Sequence, residues 1–179
     1  MIGPSTYNYR VLAIDPATRG FGFVVMEGPR KLVDWGVKST KTDREGKSVE
    51  KLEELISIYL PTFLIVERVD STGSRRCRQV ALLIKRLVAV AAESGVRVRT
   101  ISRADVRQEF ARCGASTKNQ IALQIGRELP ELAPKVPPSR KPWMSENYQM
   151  PVFDAAALAL TFISPRARTI ASSRDLSVA

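Results

Sequence analysis

Tyr9-Arg10-Val11-Leu12-Ala13-Ile14-Asp15-Pro16 and, after Thr18-Arg19-Gly20, Phe21-Gly22-Phe23-Val24-Val25-Met26 are two short apolar runs rich in β-formers, and they decide the fold. The first stops at Asp15-Pro16, because proline cannot continue a hydrogen-bonded ladder, so Asp15 is expected at a strand end. Gly28-Pro29 closes the second run, and Leu32-Val33-Asp34-Trp35-Gly36-Val37 follows with the same composition. Three consecutive strands joined by short turns predict an antiparallel meander.

Beyond the meander the period changes. Val49, Leu52, Leu55, Ile56 and Tyr59 fall at helical spacing, with Ser48 as the expected N-cap and Pro61 as the stop. Phe63-Leu64-Ile65-Val66 is a continuous apolar run, the pattern of a strand buried on both faces, and it ends at Glu67. A loop at Ser71-Thr72-Gly73-Ser74 leads into a long helix from Arg75 to Glu93, capped by Gly95. Leu83, Leu87 and Val90 on that helix read as core, with a dimer seam as the alternative. Val96 to Ile101 alternates with period two and predicts a strand at or near a sheet edge. Ser102 and Asp105 open a helix to about Ala111, and Ser116 to Gln120 open another to about Leu129.

From Pro130 to Met150 the prolines Pro134, Pro137, Pro138 and Pro142 predict an irregular loop of unusual length. Trp143 and Tyr148 within it either stack on exposed bases or pin the loop to the core. Phe153 to Phe162 predicts an apolar helix with Asp154 in its first turn. The expected organisation is one domain over residues 1–163, followed by a flexible tail over 164–179.

Composition narrows the chemistry. The 179 residues carry 28 Lys and Arg against 18 Asp and Glu, a net charge of +10, which favours a polyanionic partner such as nucleic acid. There is no histidine, and Cys77 and Cys113 form no CxxC pair, so a zinc site or a histidine-based triad is excluded. No run approaches the length of a membrane span and Met1 to Tyr9 lacks the regions of a signal peptide, so a cytoplasmic protein with no membrane partner is expected.

Asp15 and Glu67 each terminate an apolar strand, and Asp154 begins an apolar helix. Singly, an aspartate after a strand is commonly a turn-former, and Asp154 could cap its helix. Together, three carboxylates at the rim of one core need a partner, because a desolvated charge is costly. A pair of hard divalent cations, Mg2+ or Mn2+, would supply it and would serve phosphodiester hydrolysis. Arg75, Arg76 and Arg78 lie at a helix N-terminus, where cations oppose the macrodipole, and are expected to contact phosphates with Thr72, Gly73 and Ser74. Lys118, Lys135, Arg140 and Lys141 are further expected DNA contacts.

In this order the blocks resemble a known family. Ile14-Asp15-Pro16-Ala17-Thr18-Arg19-Gly20-Phe21-Gly22, Leu64-Ile65-Val66-Glu67 and Asp154-Ala155-Ala156-Ala157-Leu158-Ala159-Leu160-Thr161 resemble RuvC-like Holliday junction resolvases of the RNase H-like superfamily. Gly114-Ala115-Ser116-Thr117-Lys118-Asn119-Gln120 is similar to the family's Gly-x-x-x-Lys-x-Gln segment, whose lysine faces DNA. The resemblance spans about residues 9–163. It implies an α/β, RNase H-like fold, with a five-stranded mixed sheet and helices on both faces. It also implies a magnesium-dependent endodeoxyribonuclease that resolves four-way DNA junctions by paired nicks as a homodimer, with Asp15, Glu67 and Asp154 as catalytic metal ligands. Many members carry another acid three residues before the helix aspartate, where this chain has Pro151; Asp70, Asp105 and Glu146 are the candidates for a fourth. Asp70 also stands where bacterial members often present a base-stacking aromatic. The alternatives are an RNA-processing nuclease on the same fold, YqgF-like or of RNase H type, and a catalytically silent nucleic-acid-binding module.

Overall fold

The computed structural model describes residues 9–17, 20–39, 43–69, 78–139, 141 and 143–164. Strands β1 (Arg10–Ala17), β2 (Gly20–Glu27) and β3 (Lys31–Ser39) form the expected antiparallel meander, and β4 (Phe63–Glu67) and β5 (Arg97–Ile101) add to it in parallel. The sheet order is β3-β2-β1-β4-β5, so β4 lies inside and β5 at an edge, as their patterns predict.

Period two divides β1 and β4 between two cores. Leu12, Ile14, Leu64 and Val66 face helices α1 (Arg44–Tyr59) and α2 (Arg78–Glu93), where Leu52, Leu55, Leu83, Ile84 and Leu87 cover them. Val11, Ala13 and Ile65 face the other way, toward α3 (Arg103–Ala111), α4 (Lys118–Glu128) and α5 (Met150–Ile163). Leu83, Leu87 and Val90 are therefore core. The same alternation turns Asp15 and Glu67 toward α5. They follow the last paired residues, Ala13 and Ile65, by two positions, so they leave the parallel strands at one level on one face.

Four local expectations are corrected. β1 runs through Asp15 and Pro16 to Ala17; its pairing with β4 covers only Val11–Ala13, so proline sits where β2 is the strand neighbour. Helix α1 begins at Arg44 with Asp43 as N-cap, its side chain accepting from the Gly46 amide, and Ser48 lies buried inside the helix. The stretch after Leu129 is not wholly irregular. Pro130–Lys135 forms a 3₁₀ helix with Leu132 buried, and Gly126 lets it pack on α4, since a Cβ there would meet Val136 and the Ala133 backbone. Finally, α5 starts at Met150, which takes Pro151 into its first turn and leaves Asp154 in the second, with no capping role.

α3 and α4 open where the sequence predicts, and each does so on a capping box, Ser102 with Asp105 and Thr117 with Gln120. Of the expected tail, Ser164 donates from Oγ to Glu109 at 2.7 Å, and 165–179 lie outside the described residues. No helix among the described residues is long and apolar enough to cross a membrane.

Candidate active site

Helix α5 brings Asp154 to the two strand-end acids, and Gly22 lets it come close. Gly22 pairs with Asp15 across the β1–β2 ladder, and a Cβ on it would run into the backbone of Pro151 and Val152. The small side chains of Ala155, Ala156 and Ala159, all fully buried, seat the rest of α5 against the sheet. Asp15, Glu67 and Asp154 then line one cleft of about 210 Å³, at the carboxyl ends of β1 and β4. Asp15 is 3% exposed and Glu67 2%. Groups so far withdrawn from water require compensating charge or hydrogen bonds.

Cations supply part of that compensation. Arg103 Nε donates to Glu67 Oε1 at 2.7 Å, with a longer contact of 3.5 Å from Nη2 to Oε2. Lys118 Nζ donates to Asp154 Oδ2 at 2.8 Å and to Glu146 Oε1 at 2.7 Å. Each cation is the first residue of its helix, α3 or α4, where the macrodipole disfavours positive charge, so the acids must outweigh that penalty. Burial works to lower the Lys118 pKa, but the charge and hydrogen bond of Asp154, with those of Glu146, outweigh it and hold the ammonium above its ordinary value. Arg107 and Ser116 complete the polar lining.

Three hard carboxylates from separate elements are a donor set that fits magnesium or manganese. Guanidinium and ammonium groups already rest on the oxygens of Glu67 and Asp154 that such an ion would use. Among the described residues no three acids close on a single point. Of the fourth-acid candidates, Asp105 is spent on the α3 cap, accepting from Ser102 Oγ at 2.6 Å and the Ser102 amide at 3.0 Å. Glu146 reaches the site through Lys118, and Asp70 lies outside the described residues.

Of the expected DNA contacts, Lys118 lines the cleft, whereas Arg78, Lys135 and Lys141 are exposed and do not. Thr72, Gly73, Ser74, Arg75, Arg76 and Arg140 lie outside the described residues. Sequence reasoning missed Arg103 and Arg107. The signal for Arg103 was present, because the Ser102-x-x-Asp105 box starts α3 directly after β5, whose Ile101 pairs with Glu67.

No protein-family model matches the chain. A crossover junction endodeoxyribonuclease RuvC of Akkermansia muciniphila is 31% identical over 136 residues, covering 68% of this chain and 81% of that protein. The Thermus thermophilus RuvC structure matches with a TM-score of 0.66 at 22% identity, over 89% of this chain and 97% of that one. The same protein in complex with a Holliday junction substrate matches at 0.63 and 21% identity, over 90% and 97%. The crystal structure of a yeast mitochondrial Holliday junction resolvase matches at 0.62 and 14% identity, over 94% and 83%. The solved structures share the fold, and with the sequence match over four fifths of the Akkermansia protein, the chain belongs to the RuvC family of crossover junction endodeoxyribonucleases.

Proposed function

We propose that the chain is a divalent-metal-dependent endodeoxyribonuclease that resolves four-way DNA junctions by paired nicks, as a homodimer of one nuclease domain spanning residues 1–163. The observation that carries the reading is that Asp15, Glu67 and Asp154, with Arg103, Arg107 and Lys118, line one cleft at the strand ends of a RuvC-family chain. Asp15, Glu67 and Asp154 would hold two magnesium or manganese ions. When bound, such ions would supply activation of a water and neutralisation of the charge on the leaving oxygen. With no histidine in the chain, no imidazole serves as base.

The protein's own groups position the phosphodiester. Lys118 and Arg107, on the cleft wall, offer charge to its oxygens, while Arg103 keeps the Glu67 carboxylate oriented. Lys135, Lys141 and Arg78 extend the positive surface toward the backbone of the DNA arms.

Asp15→Asn tests the assignment, since it keeps the shape of the side chain and removes its charge. Magnesium-dependent cleavage of a junction is expected to fall at least about a hundredfold while junction binding in chelator stays within about twofold. Cleavage at the wild-type rate would remove Asp15 from the mechanism.

A further inference from the structure

After the 3₁₀ helix the chain is tied to the first turn of α4 at Pro137 and at Glu146. Asn119 donates to the Pro137 carbonyl at 3.0 Å, and Glu146 accepts from Lys118. Between and beside these anchors Trp143 is 78% exposed, Tyr148 72% and Met144 50%. No other aromatic side chain among the described residues is as exposed, so neither ring pins the loop to the core. Lys141 Nζ lies 5.4 Å from the centre of the Trp143 ring, and the Tyr148 hydroxyl accepts from Gln149 Nε2 at 2.7 Å.

The anchors fix how far the rings stand from the acids. Trp143 is three residues from Glu146 and Tyr148 two, which is at most about 11 Å and about 7 Å between Cα atoms. Glu146 touches Lys118, and Lys118 touches Asp154. The rings therefore stand on the stretch that Glu146 ties to the cleft through Lys118.

An aromatic face kept in water beside a cation, on a protein of net charge +10, suits an unstacked nucleobase attached to a phosphate chain. We propose that Trp143 and Tyr148 form a stacking platform for bases unstacked at the branch point of the DNA. This deepens the junction reading and rests on it. Intact duplex offers no free base face, so the platform adds affinity for the branched form alone.

Trp35→Phe leaves Trp143 as the single tryptophan of the chain. That protein is titrated in chelator with a four-way junction and with a duplex whose ends are closed by non-nucleotide linkers. Quenching of Trp143 emission by the junction and not by the duplex is expected. Trp143→Ala should weaken junction binding about 5- to 150-fold, the worth of one stacked base, and leave duplex affinity within about twofold. Equal quenching by both DNAs, or unchanged junction affinity in both Trp143→Ala and Tyr148→Ala, overturns the platform. So does a fall in molecular mass of the Trp143→Ala protein by light scattering, which makes the patch a subunit contact. Wild-type protein that neither prefers nor cuts the junction overturns the junction reading as well. A wild type that cuts junctions without Trp143 quenching removes the platform alone.

Discussion

Arg103→Ala strips the guanidinium from a carboxylate that is 2% exposed. Breaking a buried ion pair by removing one partner costs about 3–5 kcal/mol, and losing a hydrogen bond to a charged group about 1.5–3 kcal/mol. The Arg103 side chain is 38% exposed, so water enters where it stood and the loss falls toward the lower end, about 2 kcal/mol. For a chain of this length each kcal/mol shifts Tm by about 2–4 °C, so unfolding in chelator should come about 4–8 °C earlier than in the wild type. Added Mg2+ places positive charge on the same oxygens, so the deficit should shrink as Mg2+ rises. Arg107→Ala is the control, because it lines the same cleft with no ion pair among the described residues, and its stability should change by no more than about 0.5 kcal/mol. Differential scanning calorimetry of the three proteins, with chelator and across a Mg2+ titration, reads all of this. An Arg103→Ala protein with wild-type Tm, or a deficit that Mg2+ leaves untouched, would refute the reasoning.

Gly22→Ala places a methyl group against the Pro151 and Val152 backbone and should destabilise by about 1–3 kcal/mol, with junction cleavage falling well below what the remaining folded fraction explains, because α5 carries Asp154. Unfolding curves and cleavage rates on one preparation check this, and wild-type values for both would contradict it. Tyr59 donates to Asp34 at 2.5 Å, and that hydrogen bond, with burial and the Asp34 charge, pushes its phenol up to about 12. The folded value lies above the ordinary one of 10.0, so the stabilisation is full below pH 10 and lost as pH rises through 12. Tyr59→Phe should remove a phenol that ionises near pH 12 from the ultraviolet titration and flatten the stability loss in that window.

Much of this was legible because the deciding signals are local. The continuous apolar run of β4, the alternation of β5 and the polar residues that open α3 and α4 involve positions close together in the chain, and each formed as written. Two of the misreadings have their cause in long-range context. Pro16 stops a ladder only where a strand is paired on both sides, and β1 leaves β4 before reaching it. Pro134 and its neighbours look irregular until Gly126, on another element, gives the 3₁₀ helix a surface to pack on. Asp43 caps α1 from a left-handed conformation that a charged stretch does not advertise, so Ser48 took the role by default. Asp15, Glu67 and Asp154 were readable as acids at the rim of a core. Arg103 was not, since its meaning comes from β5 lying beside β4.

The central claim, metal-dependent junction cleavage, is tested most directly by one cleavage panel. Labelled four-way junction, duplex, flap and RNA:DNA hybrid are incubated with the protein in parallel, with Mg2+ and with chelator. Paired, symmetric nicks in the junction alone, absent in chelator, are the predicted result. Cleavage of the hybrid in place of the junction, or junction binding with no Mg2+-dependent cut, would contradict the account.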